Sequence, residues 1–103
     1  LKRSGNSVNE TKKVKDEPEI EQGPECIVVV QNGFVYVGHV TLEDGSMRIS
    51  EAYNIRRWGT TKGLGQLAIE GKQKETLLDY CGVVRVPFHS ILFTIDSTFG
   101  LLP

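Results

Sequence analysis

Two β-branched runs joined through a single Asn-Gly pair constrain this chain more than any other feature. Ile27-Val28-Val29-Val30-Gln31 reads as a strand, and Phe34-Val35-Tyr36-Val37-Gly38-His39-Val40 reads as a second. Asn32-Gly33 between them predicts a tight hairpin, because Asn and Gly tolerate the positive φ such turns need. Glu43-Asp44-Gly45-Ser46 predicts another turn. From Met47 to Trp58 the chain alternates with period two, as a long bent strand does. Met47, Ile49, Tyr53 and Ile55 then share one face, and Arg48, Ser50, Ala52, Asn54, Arg56 and Trp58 the other. Leu64, Leu67 and Ala68 recur at helical spacing for about two turns, and Gly71 stops that run. Lys72 to Tyr80 is polar around Leu77-Leu78 and is expected as a loop or short helix. Gly82 to Pro87 and Ile91 to Ile95 read as the last strands. Pro87 donates no ladder hydrogen bond, so the strand must break or lie at an edge there.

This order predicts a mainly β fold: a small five-stranded antiparallel barrel of the SH3 or Sm-like kind, with one short helical insertion. Gly38 in mid-strand would allow the bend that closes such a barrel. Three segments are expected: an extended or disordered arm over 1–26, the barrel domain over 27–97, and an apolar tail over 98–103. The arm has no aromatic residue and no apolar periodicity, so it cannot bury enough surface to offset its ordering entropy. Ordering would come from a partner's surface. A core this small also makes help from oligomerisation an expectation.

Composition narrows the function. The 103 residues suit one domain, and 12 basic against 13 acidic residues give no global pull toward nucleic acid or anionic membrane. No apolar run approaches the roughly 18 residues of a membrane span. No signal peptide is visible, which makes the Asn9-Glu10-Thr11 sequon silent, and a start at Leu1 rather than Met suggests a chain that is processed, trimmed or incompletely observed. Cys26 and Cys81 lack the ligand count and CxxC spacing of a zinc site, and reduced thiols are expected rather than a disulfide. His39 and His89 sit among apolar strand residues with only scattered carboxylates, such as Asp44, Asp79 and Asp96, to complete a metal site. Cys81 would need a His beside it to act as a nucleophile, and no paired carboxylates stand out for acid–base work. No enzyme activity, metal or cofactor is expected.

The stretch Arg56-Arg57-Trp58-Gly59-Thr60-Thr61-Lys62-Gly63-Leu64-Gly65-Gln66-Leu67-Ala68 is the candidate site. It holds the only Trp, two Arg, a Lys and three Gly, and no acidic residue lies between Glu51 and Glu70. A cationic glycine turn leading into a helix can hold an anion through outward N–H groups. It lacks the Gly-Lys-Ser/Thr end of a P-loop and the spacing of GxGxxG. Thr60 or Thr61 capping the short helix would suffice to explain it as a structural corner. The candidate contact surface is therefore Arg56, Arg57, Trp58 and Lys62. For RNA, Arg48, Arg56, Arg57, Lys62 and Arg85 are the available donors and Tyr36, Tyr53 and Trp58 the stackers, with Arg48, Arg56 and Trp58 forming a stripe on one face.

Gly33-x4-Gly38, the Asp44-Gly45-Ser46-Met47 turn and the strands from Val86 to Ile95 resemble Sm-like and SH3-like barrels. Gly33-Phe34-Val35-Tyr36-Val37-Gly38, the aromatic and basic run before the turn, and Gly65-Gln66-Leu67-Ala68-Ile69-Glu70-Gly71 are similar to a family of small uncharacterised tailed-bacteriophage proteins, a domain of unknown function. That resemblance implies phage origin and carries no settled activity; Lys62 departs from its small, apolar turn. The expectation is a non-enzymatic interaction module of a virion or homo-oligomer, located in the virion or host cytoplasm. It would use its arm and the strand edges near Pro87 and Met47 to Ser50 on protein partners. The alternative is an Sm-like ring binding RNA, a nucleotide or another small anion at the basic turn.

Overall fold

The computed structural model describes residues 23–103. Five strands and a helix follow in order: β1 (Glu25–Val30), β2 (Val35–Glu43), β3 (Ser46–Arg57), α1 (Leu64–Glu70), β4 (Leu77–Pro87) and β5 (Ile91–Asp96). All strand pairs are antiparallel, in one sheet of order β4-β3-β2-β1-β5. The mainly β, five-stranded antiparallel fold is as expected, but the barrel is not closed. Among the described residues, β4 pairs only with β3 and β5 only with β1. The arm lies outside the described residues as far as residue 22, while Glu25 and Cys26 already belong to β1.

The Asn-Gly hairpin forms as its sequence dictates. Asn32 takes φ 71°, and the Val30 N–H donates to the Phe34 carbonyl at 2.9 Å across the turn. The long strand β3 departs from simple alternation. Glu51 has φ 50°, and the β2–β3 register slips between Val37 and His39. Glu51 and Ala52 together oppose Gly38, a β-bulge with Glu51 in the left-handed position. The bulge exchanges faces: Ala52 joins Met47 and Ile49, whereas Tyr53 and Ile55 pack on the other side. Gly38 serves this bend because a Cβ there would meet Ile49 Cγ2 at 2.5 Å and the Ser50 carbonyl oxygen at 2.8 Å.

Two apolar clusters result, one on each side of β1. Cys26 and Val28 join Met47, Ile49, Ala52 and Val86 inside the curl of the sheet. Ile27 joins Val35, Val37 and Ile55 beneath Leu64, Leu67 and Ala68 of α1. The last residues complete this second cluster. Leu101 is buried in it, and its N–H donates to the Glu25 carboxylate at 2.6 Å. The Ser97 hydroxyl donates to the same carboxylate oxygen at 2.6 Å. The apolar end of the chain is thus part of the core rather than a loose tail.

Lys72 to Tyr80 is neither wholly loop nor helix. Its second half opens β4, because Leu78 pairs with Ile55 and packs under α1. Pro87 ends β4 on the outer edge of the sheet, where its missing N–H costs nothing.

Candidate functional site

The basic corner is built by side chains that already have partners. β3 ends at Arg57, and the chain turns through residues 58–63 into α1. Thr60 and Thr61 do not cap the helix: the N-cap is Gly63, with no side-chain hydrogen bond. The Gln66 carboxamide reaches back instead, accepting from the Thr61 N–H at 3.0 Å and the Lys62 N–H at 2.9 Å. Two of the amides that would have faced an anion are therefore engaged. Thr76, buried at 3% exposure, pins the corner from the other side. Its hydroxyl donates to the Trp58 carbonyl at 2.7 Å and accepts from the Gln73 N–H at 2.9 Å.

Arg56 and Arg57 lie side by side but carry acids with them. Arg56 Nε is 2.5 Å from Asp79 Oδ2, and Arg57 Nη1 is 3.5 Å from Glu75 Oε1. These exposed pairs add little stability, yet they cancel most of the local charge that the linear sequence suggested. Trp58 is half-exposed. Lys62 is exposed on the next turn.

The proposed stripe of Arg48, Arg56 and Trp58 does not form. The Glu51 bulge breaks the parity, and a further register shift follows Ile55. Arg48 and Arg56 are separated by up to ~26 Å of strand. Arg48 and Arg85 instead flank Glu43, at 3.2 Å and 3.1 Å. The Arg48 Nε lies off hydrogen-bond geometry despite that distance.

The other candidates are placed apart. The His39 ring Nδ1–H donates to the Gly23 carbonyl at 2.9 Å, leaving Nε2 at 3.7 Å from Glu51 Oε1. His89 lies in the short turn between β4 and β5. Cys26 is buried and Cys81 exposed, both as free thiols. Burial, then the neighbouring Asp96, pushes the Cys26 thiol above its ordinary value. Among the described residues, no cluster of three or more His, Cys, Asp or Glu could hold a metal ion, and no helix is long and apolar enough to cross a membrane.

Two surfaces go beyond the sequence reading. The first is the pair of open sheet edges, of which the one on β4, near Pro87, was expected and the one on β5 was not. Leu77, Tyr80 and Val83 are exposed on β4, and Leu92 and Phe93 on β5. The interaction edge expected at Met47 to Ser50 is not an edge, because β3 pairs with β2 on one side and β4 on the other. The second is an open cleft of about 120 Å³ lined by Glu51, Tyr53, Tyr80, Leu102 and Pro103. Three successive large apolar residues, Ile91-Leu92-Phe93, were a readable sign of the first. The second depends on register and was not readable.

No protein-family model and no curated protein sequence matches this chain.

Proposed function

We propose that this chain is a non-enzymatic, phage-encoded β module that works through protein–protein contacts in an oligomer or a virion assembly, in the virion or the host cytoplasm. The observation that carries the reading is the pair of open edges at opposite ends of the sheet order. Unpaired edges present rows of free N–H and C=O groups, and native folds normally blunt them with charge or cover them. Here exposed Val83 and Tyr80 lie on one, and Leu92 and Phe93 on the other. Strand addition uses such edges, with backbone bonds supplying affinity and side chains selectivity. Two different edges meeting head to tail give a ring when the rotation closes. The phage resemblance and the partner-seeking composition of residues 1–22 support the same reading, with the arm laid across a neighbour.

Sedimentation analysis of the full chain tests it. The expected result is an oligomer whose mass falls in Val83→Lys and Phe93→Lys while the far-UV circular dichroism stays unchanged. Removing residues 1–22, rather than a longer segment that would cut into β1, should weaken assembly and leave the domain folded. A monomer at tens of micromolar that also fails to enter particles would sink the proposal.

A further inference from the structure

We infer that the cleft between Glu51, Tyr53 and Tyr80 is a binding site for an organic ammonium group, of the weakly hydrated, methylated kind. The inference shares Tyr80 with the edge-pairing reading but does not rest on it. Three observations meet at this place.

The first is the aromatic geometry. Tyr53 and Tyr80 are directly opposed across β3 and β4, with ring centroids 5.2 Å apart and planes at 62°. The rings meet edge to face, so they do not close a cage; the faces left open, that of exposed Tyr80 above all, present negative quadrupole charge to a cation. Tyr80 is 65% exposed, an unusual state for a large ring that the core does not need.

The second is the backbone. Each strand inserts an extra residue beside this pair, Glu51 on β3 and Cys81 on β4, where the register steps from Ala52–Gly82 to Tyr53–Tyr80. Glu51 does so at φ 50°, in a region that side-chain-bearing residues seldom occupy. Bulges re-aim side chains, and held backbone outliers gather where a ligand is met.

The third is charge and size. Glu51 lines the cleft, and its carboxylate Oε1 lies 3.7 Å from His39 Nε2. Leu102 and Pro103 complete a lining that is more polar than apolar. A cleft of about 120 Å³ is far below the roughly 300 Å³ at which pockets for drug-sized ligands begin. It suits one compact cationic head and excludes a nucleotide. A carboxylate beside an open aromatic face favours an organic ammonium, which the ring attracts, over a strongly hydrated metal ion.

The test is a ¹H–¹⁵N NMR titration of the full chain with tetramethylammonium chloride. Sodium chloride at matched ionic strength and tert-butanol, a neutral molecule of similar shape, are the controls. Saturable millimolar shifts confined to residues around Glu51, Tyr53, Tyr80 and Leu102 are expected with the ammonium only. Tyr80→Phe should keep binding, Tyr80→Leu should lose it, and Glu51→Gln should weaken it about tenfold, the equivalent of about 1.4 kcal/mol. Equal response to tert-butanol, no saturable shift, or undiminished binding in Tyr80→Leu would overturn the assignment. Choline and a trimethyl-lysine peptide, compared in the same way, separate a free small molecule from a protein side chain as the source.

Discussion

Gly59 and Gly63 bracket the basic corner, and replacing each with Ala separates packing from backbone conformation. Both have positive φ, 67° and 91°. Their surroundings differ. A Cβ on Gly59 would lie 2.5 Å from the Glu75 carbonyl carbon, 2.6 Å from Thr76 N and 2.9 Å from the Glu75 carbonyl oxygen. These are backbone atoms, and Thr76 is anchored to Trp58 and Gln73, so they cannot swing aside. A Cβ on Gly63 meets nothing within 4 Å. Positive φ costs an Ala about 1–3 kcal/mol, Gly63 with ψ −168° lying in a region nearly confined to glycine, partly offset by about 0.4–1 kcal/mol of lost unfolded-state entropy. Gly63→Ala should therefore cost about 1 kcal/mol. Overpacking against fixed atoms adds about 1–3 kcal/mol, which brings Gly59→Ala to about 2–4 kcal/mol. At about 4–8 °C per kcal/mol for a domain of this size, the melting temperature falls by roughly 5 °C and by 10 °C or more, respectively. Thermal and urea unfolding followed by circular dichroism measures both. Equal losses, within about 0.5 kcal/mol, would refute the claim that Gly59 is fixed by close backbone contact, and a corner shaped for ligand approach would become the better account.

Two further outcomes follow from hydrogen bonding and thiol chemistry. Thr76→Val leaves the part-buried Trp58 carbonyl and Gln73 N–H without this partner; with water able to reach them in part, a loss of about 1–3 kcal/mol is expected in urea unfolding. Thr76→Ser should recover most of it, and equal losses in the two variants would contradict the hydrogen-bond assignment. In native protein, a disulfide reagent should titrate one thiol rapidly, from exposed Cys81, and the buried Cys26 only slowly. Burial and Asp96 raise the Cys26 pKa above its ordinary 9.0. The folded state thus holds that proton longer than the unfolded chain, so its contribution to stability is complete below pH 9.0 and is lost as pH rises beyond it. Cys26→Ala should show a shallower fall than wild type on that alkaline limb; identical slopes would count against burial as the cause.

Element order was legible because each turn has its own chemistry. Asn32-Gly33, Glu43 to Ser46 and Pro87 each mark a chain reversal or strand end that the fold contains. What failed was parity. A period-two pattern assumes an unbroken strand, and Glu51 inserts an extra residue without a glycine to announce it. Every face assignment beyond that residue reverses, which dissolves the Arg48, Arg56 and Trp58 stripe. Leu77 and Leu78 were obscured because a partly exposed opening of an edge strand has mixed polarity. The basic corner looked stronger in sequence than in space because its counter-charges, Glu75 and Asp79, come from a segment about twenty residues away.

The unbroken apolar run from Cys26 to Val30 explains why the sheet can leave its ends open. Half-buried strands alternate, whereas a continuous run is the mark of a strand covered on both faces. Ile27 and Val28 are each fully buried, on opposite sides of β1. One side is covered by the curl of β3 and β4, brought round by the Glu51 bulge, and the other by α1 and Leu101. Burial of Cys26, Ile27 and Val28 in β1 is therefore reached without a β4–β5 contact. Closing the barrel would add hydrogen bonds but would cover little further core, so edge substitutions such as Val83→Lys should be tolerated by the fold. The same economy leaves the outer rows of both edge strands available for a partner strand, and it places Tyr80 where an edge meets a bulge.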